Sequence, residues 1–61
     1  MNVQQKKIAD RLRLEWEIYR ADAMPCHMTG LEKAAKAIAQ VYADADPKFK
    51  KAAFLAIAIK Q

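Results

Sequence analysis

The sequence predicts an all-α fold: one domain of three short helices, at about residues 3–22, 30–44 and 47–60, with the second and third forming a close antiparallel pair. Apolar residues recur at three- and four-residue spacing in two segments, helix-start signals stand before the expected helices, and the single glycine and two prolines fall between them or at their first residues. At 61 residues there is room for one core only, worth about 3 to 5 kcal/mol without further support.

The first helix has a start signal in Asn2 and Gln5, since an Asn side chain can accept from a first-turn amide while the Gln three residues on reaches back. Ile8, Leu12, Trp16 and Tyr19 then share one face, and Leu14 with Ile18 forms a second, shorter ridge. Lys6 with Asp10, Arg11 with Glu15 and Arg13 with Glu17 are spaced to pair along the surface. Pro25 disfavours helical geometry at Met24, so the helix is expected to stop near Asp22 and "MPCHM" to be loop.

"TGLE", residues 29–32, reads as a reciprocal cap, with Thr29 and Glu32 each bonding the other's amide. Leu31, Ala34, Ala35, Ile38, Val41 and Tyr42 follow at helical spacing, leaving Glu32, Lys33, Lys36 and Gln40 for water. Asp46 and Pro47 predict the third helix, as cap and first helical residue. Rows of alanine at 35, 39 and 43 and at 52 and 56 motivate the close helix pairing.

From Ala52 to Ile59 the chain has no polar side chain, so the third helix is apolar all round. Two short neighbours are not expected to enclose it. A second copy is the simplest cover, because two-fold dimers are the commonest oligomers. Phe49, Phe54, Leu55, Ile57 and Ile59, with Trp16 and Tyr19, are therefore the expected self-association or partner-binding residues.

Net charge is +4, and the excess lies at the end: Lys48, Lys50, Lys51 and Lys60 have no acid among the last fourteen residues. Lys48, Lys50 and Lys51 are expected in the first turn of the third helix, where the macrodipole disfavours cations. Contact with an acidic protein surface or a nucleic-acid backbone would explain such a cluster; a solubilising role beside an apolar run is the alternative. Residues 31–60 have a helix-turn-helix outline, yet the second helix is too apolar to read base edges. It also lacks the segregated polar face of a membrane-surface helix.

No cofactor or metal is expected. Zinc takes four ligands at defined spacing, and Cys26 and His27 supply one of each at adjacent positions. No third group orients a Cys–His nucleophile, and a lone glycine makes no phosphate-binding loop. The chain is not expected to be an enzyme. The lone cysteine excludes an intrachain disulfide and suits a reducing cytoplasm, polar residues near the start argue against a signal peptide, and the closing apolar run is too short to span a membrane.

From "MNVQQKKIADRLRLEWEIYRADAMPCHMTG" to "AAFLAIAIKQ" the whole chain resembles the small helical early proteins of lambdoid bacteriophages, notably those encoded between the exonuclease and excisionase genes. The resemblance lies in size, basicity and general style. It implies a regulator in a bacterial host cell that acts by contacting a host protein, and it assigns no functional residue.

Overall fold

A computed structural model describes residues 1–59, and among them every regular element is helical: α1 (Val3–Ala21), α2 (Pro25–Ala45) and α3 (Lys51–Ala58). Each helix contacts both others.

The start of α1 is capped as its sequence dictates. The Gln5 amide donates to Asn2 Oδ1 at 2.8 Å, and the Asn2 amide donates to Gln5 Oε1 at 3.1 Å, so two amides left over at the helix start are satisfied reciprocally. At the other end the Met24 amide reaches Tyr19 O and the Ala23 amide reaches Arg20 O. This is the Schellman arrangement, which requires a left-handed residue between cap and turn. Ala23 occupies that position at φ 52°, where glycine is the usual choice.

The reversal after Ala23 is so tight that α2 begins at Pro25, five residues before the expected start. Proline at the first helical position has its φ already set and loses no needed donor. "PCHMT" is therefore helix rather than loop, and Thr29 is not a cap: its hydroxyl donates back to Pro25 O at 3.0 Å. Pro47 behaves in the opposite way. Asp46 Oδ1 accepts from the Lys48 amide at 3.0 Å and Asp46 O accepts from the Phe49 amide, closing a turn that delays α3 until Lys51. The third helix is thus two turns long instead of nearly four, with Ile59 as its C-cap. Its expected last residue, Lys60, lies outside the described residues.

The core holds two fully buried large side chains, Phe54 and Ile59, set among Ala9, Ala35, Ala39 and Ala58. Alanine at these buried positions permits close approach of the helices. On α2 the expected row is used, since Ala35 and Ala39 are buried and Ala43 is half-buried. On α3 it is not: Ala52 and Ala56 face outward and Ala58 makes the contact. Tyr42, Phe49 and Phe54 join α2, the turn and α3, with ring centroids 5.4 to 5.8 Å apart and tilted planes, the geometry aromatic rings prefer.

The expectation that α3 has more apolar surface than its neighbours can cover is not met. Phe54, Ala58 and Ile59 are buried and Leu55 and Ile57 half-buried, while the residues of Lys51–Ala58 left fully outward are Lys51 and the alanines 52, 53 and 56. A helix this short, turned to put its large side chains inward, fully exposes only alanine methyl groups and one lysine, with parts of Leu55 and Ile57 beside them.

Candidate interaction surfaces

The large apolar side chains that remain exposed sit elsewhere. On α1, Leu14 is 55 % and Ile18 51 % exposed. They are one turn apart and point away from the face that carries Ile8, Leu12 and Trp16 to the core. On α2, Val41 is 65 % exposed, one residue before the half-buried Tyr42. A second exposed valine, Val3, opens α1, and Met1 before it is also exposed.

Of the expected partner-binding residues, Phe54 and Ile59 are wholly inside the chain's own core and present no surface. Phe49, Leu55, Ile57 and Trp16 are half-buried and packed against that core. Tyr19 departs from them: its ring leaves the core and tilts against His27, centroids 5.2 Å apart. These two rings, with Cys26, Gly30, Leu31 and Ala34, line an open hollow of about 490 Å³ between the end of α1 and the start of α2. Cys26 is exposed at its rim.

Gly30 forms part of that hollow and lies within helical backbone, where it has no positive φ to accommodate. A Cβ built on it would meet nothing within 4 Å. No contact inside the chain therefore accounts for a glycine here, although glycine within a helix is less favourable than alanine by about 1 kcal/mol.

The lysine cluster is only partly where the sequence places it. Lys48 lies in the turn, Lys50 is the N-cap of α3 and Lys51 its first residue; no side chain caps the helix and its first turn has no acid. Lys51 is engaged, its Nζ donating to Gln40 Oε1 at 3.0 Å while Gln40 Nε2 donates to Asp44 Oδ1 at 2.7 Å. Lys48 and Lys50 are exposed. Three surface ion pairs accompany them among the described residues: Arg11 with Glu15 at 3.8 Å, Arg13 with Glu17 at 4.0 Å and Lys36 with Glu32 at 3.5 Å. Exposed pairs of this kind contribute about 0.3 to 0.5 kcal/mol each. Glu17 Oε1 is shielded from solvent without a hydrogen-bond partner, because 4.0 Å is beyond bonding distance to the Arg13 guanidinium.

Among the described residues, no group of three or more His, Cys, Asp or Glu side chains converges as a metal site, and no helix is long and apolar enough to cross a membrane. The sequence did name Leu14, Ile18 and Val41, but as helix ridges rather than as exposed features. What it hid was the early start of α2, which turns Cys26 and His27 from loop into the same side of a helix as Gly30. No family model, no curated protein and no solved structure matches the chain.

Proposed function

We propose that this chain is a noncatalytic interaction module, a small helical regulator that works by binding another protein. The observation that carries this reading is the pair Leu14 and Ile18, large and half exposed on the outer side of a well-capped helix whose opposite face already fills the core. Such a ridge fits the side of a partner helix or an apolar groove, with Arg11, Glu15 and Lys7 bordering it as a polar rim. The resemblance to early lambdoid phage proteins supports a host protein as the partner and the bacterial cytoplasm as the place. Capture from a bacterial lysate with the wild-type chain and with Leu14→Asp, Ile18→Asp as baits tests it. A protein retained by the first and lost from the second, with helicity unchanged by circular dichroism, is the expected result; identical retention by both contradicts it.

A second reading is supported by the exposed Lys48 and Lys50 at the uncapped start of α3. In it the chain binds nucleic acid through the phosphate backbone, and affinity falls steeply with salt. Replacing Lys48 and Lys50 by Gln should then lower affinity for duplex or single-stranded DNA and flatten the salt dependence. No shift of either nucleic acid at low salt removes this reading.

A further inference from the structure

The outer face of α2 has a pattern that neither the core nor the lysine cluster uses. His27, Gly30, Ala34, Ala37, Val41 and Ala45 recur three or four residues apart, and all six are exposed. The face they make is uncharged apart from the titratable His27 and runs about 27 Å along the helix at 1.5 Å per residue. Near its N-terminal end is the hollow around Gly30, and near its C-terminal end Val41 stands out from the surface. A depression and a projection thus occupy one straight helix face.

Their positions are self-complementary. The midpoint between Ala34 and Ala37 is also the midpoint between Gly30 and Val41. We infer that α2 pairs with α2 of a second copy in an antiparallel, two-fold contact, each Val41 entering the other copy's hollow over Gly30. In this register the two small-residue centres, Ala34 and Ala37, lie against each other, which permits close approach of the axes. The half-buried Leu31 and Ile38 flank the same seam. Asp44 comes level with His27 of the other copy and Lys33 level with Ile38, so no two like charges stand at the same level across the seam. The missing Cβ at Gly30, unexplained within one chain, becomes the space that a valine from the other copy fills.

A second copy fits better than a foreign helix because the match is one the chain has with itself: hole and knob are equidistant from one axis, as an isologous contact requires. The inference deepens the interaction-module reading by naming one partner, and it uses a different face from Leu14 and Ile18. A single helix seam of this length buries on the order of 900 Å² over both copies, below the roughly 1,200 Å² at which stable interfaces begin. Association is therefore weak.

Sedimentation equilibrium of the full chain from about 10 µM to about 1 mM tests it. Wild type is expected to pass from monomer to dimer over that range. Val41→Glu and Gly30→Leu, both at exposed positions, should each weaken association by roughly tenfold or more, and Leu14→Asp should leave it unchanged. Thermal melts of each variant at low concentration identify loss of fold separately from loss of pairing. A chain that stays monomeric to the highest concentration overturns the inference and leaves the Leu14 and Ile18 reading to its own test. A dimer abolished by Leu14→Asp and unaffected by Val41→Glu overturns it as well, while strengthening that reading.

Discussion

Three backbone positions are occupied by residues that the local geometry does not favour. Ala23 holds a left-handed conformation at the end of α1, which an L side chain with a Cβ adopts at a penalty of about 1 to 2 kcal/mol. Ala23→Gly is expected to raise stability by about 1 kcal/mol, seen as an increase in Tm of roughly 4 to 8 °C for a domain of this size; an unchanged or lower Tm would show that the turn is not strained. Lys50 caps α3 with no side-chain acceptor and places a cation at the positive end of the helix. Lys50→Asp supplies both the acceptor and the favourable charge, and a gain of about 1 kcal/mol is expected by chemical denaturation. The same change should weaken any nucleic-acid binding, so the two measurements together separate a solubilising lysine from a working one. Gly30→Ala adds a methyl group into open space and should stabilise the monomer by up to about 1 kcal/mol, measured by thermal melts at low concentration.

At the scale of the elements, the first helix was legible to within a residue at its ends because its start rests on a local reciprocal hydrogen bond between Asn2 and Gln5. The two prolines were not legible in the same way. Each follows a residue it forces out of helical geometry, and each could either end one helix or begin the next. Pro25 begins α2 because the cap at Ala23 has already turned the chain; Pro47 stays in the turn because the Asp46 side chain bonds the Lys48 amide instead of serving a helix. That choice depends on where the flanking helices must pack, which sequence spacing does not encode. The apolar run from Ala52 to Ile59 misled for a related reason. Four of its eight residues are alanine, whose exposed methyl groups need little cover. Once α3 is two turns long, its large residues can all turn inward. Phe54→Ala should therefore destabilise by about 3 to 5 kcal/mol, enough to unfold a core of this size, whereas Ala52→Ser on the same helix should change the urea midpoint little.

For the molecule as a whole, small size and an alanine-rich core leave a thin margin of stability, with only Phe54 and Ile59 as fully buried large side chains among the described residues. The surface ion pairs add little to it. Association would add more, through mass action: any partner that binds only the folded chain stabilises it in proportion to its concentration. The faces left over after the core is filled, Leu14 with Ile18 and the Gly30–Val41 seam, are the ones through which the proposed binding would supply that support. Of the residues around the candidate surfaces only Tyr19 was among those the sequence marks for partner binding; the hollow over Gly30 arises only when α2 runs unbroken from Pro25, and which face of that helix is left outward, Val41 included, is set by packing rather than by spacing.

A dilution series of amide NMR spectra tests that claim most directly. On going from about 1 mM to about 10 µM, the account predicts progressive shifts confined to the amides of the α2 outer face, centred on Gly30, Ala34, Ala37 and Val41, with Tyr19 beside them. Spectra that do not change over this range, or changes centred instead on Phe54 and Ile59, would contradict it.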